Sequence, residues 1–173
     1  MKFEDMIITY KVDNFAQHKK GIIESINSLD TFCMAVSKED EMRITSTNYW
    51  THASRQGEFV YDDNVRNVLQ GFFDAVPGMC DFKDSWHQIY YKGDFHGWHT
   101  HPGVNMAGVM YVQTDGPSGT EFNTPDGIYR VPAEEGTIIG FPASFMHRSP
   151  PHEGDSPKIV ISFNWNWGWK ENL

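Results

Sequence analysis

The sequence predicts an α+β domain weighted to β, with two amphipathic helices packed outside a double-sheet β core. Three observations carry this: a change of texture at Pro77-Gly78, helical periodicity before it, and short strands separated by turn chemistry after it. With 173 residues and no repeat, low-complexity tract or Pro/Gly/Ser linker, the chain reads as one domain over residues 1–173. Residues 1–80 form a helical and irregular support region, and residues 81–170 form the β core.

The first helix is predicted from about residue 14 to 29, capped by Asp13 or Asn14, with Phe15, Ile22, Ile26 and Leu29 at helical spacing. The second follows Asp62-Asp63, with Val65, Val68, Leu69, Phe72, Phe73 and Val76 on one face, and Pro77-Gly78 ends it. Residues 45–63 show no regular period and read as a lid over a site. Strands are predicted over residues 86–91, 107–113, 119–122, 127–131, 137–141 and 159–165, each β-branched or aromatic and bounded by turn residues. Trp165, Trp167 and Trp169 alternate, which places three indoles on one strand face with core packing as their ordinary role.

Composition excludes several function classes. There are 14 Lys+Arg against 23 Asp+Glu, a formal net charge of −9, which argues against nucleic acid or an anionic membrane as partner. Cys33 and Cys80 form no CxxC and read as free thiols of a reducing compartment. The amino terminus carries acids where a secretory signal has a basic start, and no apolar run has transmembrane length. The expectation is a cytoplasmic protein. No P-loop, G-x-S-x-G or GxGxxG is present, so nucleophilic Ser or Cys catalysis has no support.

The chain has eight histidines, and four of them (His87, His96, His99, His101) fall within fifteen residues. His99-Thr-His101 on a strand would put both imidazoles on one face. His147 follows after about three or four short strands, a separation that lets a late strand of a double-sheet roll return beside an early one. Three ligands with open positions are what oxygen activation asks of non-haem iron, although imidazole also suits Zn, Cu or Ni. His18, His52 and His152 read as ordinary surface or core histidines, and His87 and His96 as structural or as supports of the ligands.

These residues carry a resemblance. His99-Thr-His101-Pro102, the strand Gly108-Val-Met-Tyr-Val112, the Gly136-x5-Pro142-x4-His147 pattern and the closing Lys158-Ile-Val-Ile-Ser162-Phe-Asn164 strand are similar to a small His-x-His-Pro group of Fe(II)/2-oxoglutarate-dependent oxygenases. The match spans about residues 86 to 167. It implies a double-stranded β-helix (jelly roll, cupin-like) core with supporting amino-terminal helices. It also implies Fe(II), 2-oxoglutarate and O2 as cofactor and co-substrates, with decarboxylation to succinate and hydroxylation of a small-molecule or peptide substrate. His99, His101 and His147 would be the metal ligands, Lys158 would pair with the far carboxylate of 2-oxoglutarate, and Tyr90, Gln88, Asn105, Ser162 and Asn164 are candidate co-substrate or metal-shell contacts. No catalytic residue beyond the metal site is implied. The group is partly viral, which would make the compartment a host cytoplasm, and the oligomeric state is left between monomer and homodimer.

Two departures from the superfamily pattern stand out. His101 occupies the place of the acid in His-x-Asp…His, so a carboxylate such as Glu121 or Asp126 is the alternative ligand. Lys158 stands where arginine is commoner, a point charge in place of a bidentate fork. A 2-oxoglutarate-independent cupin is the runner-up, although Asn105 sits where that signature has its glutamate. A non-catalytic jelly-roll binding module is the third reading.

Overall fold

The computed structural model describes residues 2–29, 48–49 and 61–168. Its two α-helices among these are α1 (Phe15–Ser28) and α2 (Asp63–Ala75). The α2 start follows from its cap: the Asp62 carboxylate accepts from the Asn64 and Val65 backbone amides, both at 3.1 Å. Its apolar stripe buries Val65, Val68, Leu69 and Phe72. No helix among the described residues is long and apolar enough to cross a membrane.

The strands are β1 (Ile8–Lys11), β2 (Asn48–Tyr49), β3 (Met79–Tyr90), β4 (His96–His99), β5 (Met106–Gln113), β6 (Thr120–Thr124), β7 (Gly127–Val131), β8 (Thr137–Pro142), β9 (His147–Ser149) and β10 (Lys158–Gly168). They form a six-stranded sheet in the order β1-β8-β5-β10-β3-β2 and a four-stranded sheet in the order β4-β9-β6-β7. All pairings are antiparallel. Two such sheets face to face make the expected double-stranded β-helix.

Strand β10 divides the molecule because its side chains alternate. Ile159, Ile161, Phe163 and Trp165 join the core under the helices, where Phe72 meets Phe163 and Trp165 edge-on, each at 5.6 Å between ring centroids. Val160 instead joins the inter-sheet core with Tyr90, Tyr111, Phe122 and Phe141. The large sheet is therefore held from one side by helices and lined on the other by the site.

The amino-terminal region does more than support, since β1 pairs with β8 and extends the large sheet. Its four residues are half-buried and exposed in turn, an edge-strand pattern too short to read as a strand from sequence. Trp165 and Trp167 pack in the helix-side core as expected. Trp169, His52, Cys33 and most of the proposed lid lie outside the described residues.

Candidate metal centre

Strands β4 and β9 pair so that His99 lies directly opposite His147, and their rings approach to 4.2 Å between centroids. His101 completes the group: one nitrogen from each of His99, His101 and His147 lies within 4.8 Å of the others. His101 differs from expectation in its support. Strand β4 ends at His99, and His101 sits in the following loop, fixed by a 2.9 Å bond from its amide to the Ala143 carbonyl. The pair therefore converges through loop anchoring, not through strand alternation.

The donor chemistry fits a divalent metal that prefers nitrogen. The Nδ1 atoms of His99 and His147 each lie 2.8 Å from a carbonyl two residues upstream, Gly97 and Phe145, which leaves each Nε2 as a lone pair. Burial pushes His101 down to about 4, helped by His99, and pushes His147 down to about 2, again with His99 beside it. His99 is lowered by burial against the opposing pull of the Gly97 carbonyl. All three are neutral at physiological pH and able to donate a lone pair.

A fourth imidazole belongs to this cluster. His96 stacks on His99 at 3.9 Å, and its Nδ1 lies 3.1 Å from Gln88 Nε2. Three residues apart, the two histidines would face opposite ways on a regular strand. The register shift between them brings both rings to one side. Sequence periodicity had no means of showing that bulge.

Lys158 opens β10 beside Tyr90 of β3 and is 2% exposed. Its Nζ donates to the Ser118 carbonyl at 2.8 Å and to Ser149 Oγ at 2.7 Å, and it lies 4.4 Å above the Tyr90 ring. Among the described residues no acid pairs with it, and burial pulls its ammonium down to about 7. Ser149 also meets the Tyr90 phenol, whose ionisation burial suppresses. Neither Ser149 nor the Ser118 carbonyl is marked by any sequence pattern.

The histidines and Lys158 line one pocket, walled by Trp86, Gln88, Tyr90, Tyr111, Phe141, Val160 and Ser162. Among the described residues its lining contains Lys158 and Arg148 but no acid. His147 and Ser149 are two residues apart on β9, about 7 Å.

The remaining candidates fall into place differently. Ser162 and Gln88 line the cavity, joined by a 3.3 Å bond from Ser162 Oγ to Gln88 Oε1. Asn164 is buried at the edge of His101 and not in the cavity wall. Asn105 is a correction: its side chain spans the backbone of Trp167, donating to the carbonyl at 2.9 Å and accepting from the amide at 2.8 Å. The turn after His101 points it at the end of β10, away from the cavity. Glu121 is buried but taken up by Arg130 at 2.6 Å and Arg148 at 2.7 Å, and Asp126 is exposed in the β6–β7 turn. Neither belongs to the metal-binding group found among the described residues.

No family model matches the sequence, and no curated protein matches it significantly. Solved structures do match. A 2OG-Fe(II) oxygenase family oxidoreductase from Burkholderia pseudomallei is 13% identical over 96% of this chain and 88% of its own, with a TM-score of 0.66. HygX from Streptomyces hygroscopicus, with nickel, 2-oxoglutarate and hygromycin B bound, is 10% identical over 96% and 87%, with a TM-score of 0.64. A prolyl hydroxylase from Trichoplax adhaerens, in complex with a hypoxia inducible factor peptide fragment, is 10% identical over 93% and 83%, also with a TM-score of 0.64. The chain thus has the double-stranded β-helix fold of the 2-oxoglutarate- and Fe(II)-dependent oxygenases.

Proposed function

We propose that this protein is a non-haem Fe(II)- and 2-oxoglutarate-dependent oxygenase acting on a small-molecule or peptide substrate. One observation carries the reading: one pocket with no acid among its described lining residues holds three converging neutral imidazoles and a buried lysine that no described acid pairs. His99, His101 and His147 would hold the metal. Fe(II) bound there supplies oxygen activation and oxidative decarboxylation of 2-oxoglutarate to succinate, coupled to oxidation of a substrate C–H bond.

The chain's own part is binding, orientation and dryness. Lys158 Nζ attracts the far carboxylate, with Ser149 and the Ser118 carbonyl fixing where the ammonium points. Ser162, Gln88 and His96 form a polar rail from β10 to the imidazoles. Tyr111, Phe141 and Val160 supply an apolar wall that strengthens these electrostatic contacts by excluding water. Proteins of similar fold hold a small molecule, hygromycin B, in one case and a peptide fragment in another.

The lack of a carboxylate in the group keeps a 2-oxoglutarate-independent metal enzyme as the second reading. Lys158 separates the two, because such an enzyme has no use for a buried cation there. The test is anaerobic addition of Fe(II) and 2-oxoglutarate, which should give a visible charge-transfer band, then succinate on admission of air. His99→Ala and His147→Ala should lose both signals. A wild type that binds Fe(II) yet shows neither band nor succinate would establish the second reading.

A further inference from the structure

The three imidazoles are not held alike. His99 and His147 each have a carbonyl at Nδ1, but no backbone carbonyl serves His101 in that way. Instead, His101 Nε2 lies 3.2 Å from His147 Nε2. A metal bound by both Nε2 atoms needs a lone pair on each, so His101, like His147, would carry its proton on Nδ1 and need an acceptor there.

Strands β3 and β10 place that acceptor. Trp86 lies opposite Ser162, and one alternation further along, Asp84 lies opposite Asn164. Trp86 stacks on the His101 ring at 5.7 Å, so Asp84 and Asn164 share the face that approaches His101. The Asn164 amide lies against both the His101 ring and the Asp84 carboxyl. Yet Asn164 Oδ1 and Asp84 Oδ1 are buried with no hydrogen-bond donor. Buried acceptors are seldom left unpaired.

We propose that Asp84 is the outer carboxylate of the metal centre, a positioning residue that acts through Asn164 to orient His101 and hold its proton on Nδ1. In the completed chain, Asn164 Nδ2–H donates to Asp84 Oδ1, and Asn164 Oδ1 accepts from His101 Nδ1–H. His101 Nε2 is then a lone pair aimed at the metal. The β-bulge between Asn164 and Trp165 is where the strand turns to aim this amide. The inference rests on reading His99, His101 and His147 as metal ligands.

Co(II) titration, followed by its visible absorption, tests it on the full chain. Asp84→Asn should weaken Co(II) binding about 10- to 100-fold, the usual effect of removing an outer carboxylate. In the Zn(II)-loaded, 15N-labelled protein, the His101 Nδ1–H tautomer should be lost to a mixture. The exchange Asp84→Asn with Asn164→Asp puts the carboxylate directly against His101 and should restore both affinity and tautomer. If Asp84→Asn does not fold, Asn164→Ala should give the same loss of affinity. Wild-type affinity and tautomer in a folded Asp84→Asn would overturn the inference and leave the triad intact. A wild type that binds no Co(II) would overturn both.

Discussion

Replacing Lys158 with methionine should make the empty protein more stable while abolishing its affinity for 2-oxoglutarate. The lysine is 2% exposed, has no acid partner among the described residues, and is pulled by burial from 10.5 to about 7. A cation with a lowered folded-state value destabilises the protein where the unfolded chain is still protonated. Stability therefore rises with pH from about 7 toward 10.5 and is lowest below 7, where the buried amine must carry charge. At pH 7 this strain is on the order of 4 kcal/mol. Methionine keeps the apolar stem but leaves the Ser118 carbonyl and Ser149 hydroxyl without their donor, at about 1–2 kcal/mol. The variant should thus gain about 2 kcal/mol at pH 7 in urea unfolding. By pH 9.5 the wild type should gain about 3 kcal/mol relative to the variant and so become the more stable of the two by about 1 kcal/mol. With Mn(II) as a redox-silent metal, 2-oxoglutarate at a hundred times its Kd should add about 2.7 kcal/mol to the wild type and nothing to the variant. Wild-type affinity should also fall, up to tenfold per unit, as pH rises above 7. A pH-independent difference, with the variant less stable at pH 7, would refute the strained cation. Unchanged 2-oxoglutarate affinity would refute its pairing with the diacid.

Three other perturbations probe the frame around the site. Burial pushes the Glu121 carboxyl up, but Arg130 and Arg148 together outweigh it and hold the group below its ordinary value. Glu121→Gln should cost about 2–3 kcal/mol at neutral pH, discounted because Arg130 is largely exposed. The loss relative to wild type should disappear as pH falls from 4.5 through the lowered folded value. Gly119→Ala would drive a Cβ into the Val131 carbonyl and to 2.7 Å from the Ala133 nitrogen, both backbone atoms that cannot swing aside. It should cost about 3 kcal/mol by thermal unfolding and loosen the Ser118 carbonyl that holds Lys158. Asn105→Ala should lower stability by about 1–2 kcal/mol through its lost bonds to Trp167 yet leave 2-oxoglutarate affinity at the wild-type value, as calorimetry would show.

What the sequence revealed follows from which signals are local. Helix α2 was legible because its cap and stripe lie within fourteen residues, and the six longer strands because each brings its own turn residues. Strands β4 and β9 were not. They are four and three residues long and exist because His99 and His147 meet across the small sheet. The three histidines were legible as a group from spacing, and Lys158 from the resemblance. His96, read as structural or as a support of the ligands, supports His99, but the bulge that turns it there is invisible in a period-two pattern. Asn105 was misplaced for the opposite reason: nearness to His101 in sequence says nothing of the direction in which the intervening turn points. Asp84 carries no motif at all, and only the β3–β10 register sets it beside Asn164.

The same residues account for the two departures from the superfamily pattern as one arrangement. With a His-x-Asp…His site, a divalent metal, a dianionic co-substrate, one acid ligand and one cation sum to zero charge. Exchanging the acid for His101 leaves the loaded cavity one unit positive, a costly state in a dry interior. In the proposed chain, Asp84 would restore neutrality one amide further out, through Asn164 and His101. The lysine also bears on the empty state. Arginine cannot shed its proton, whereas Lys158, drawn to about 7, can lie neutral among neutral imidazoles until the diacid arrives. The all-imidazole group and the lysine are then parts of one solution: with Asp84 counted, the cavity is one unit negative when empty and uncharged when full, with a proton taken up as the anion binds.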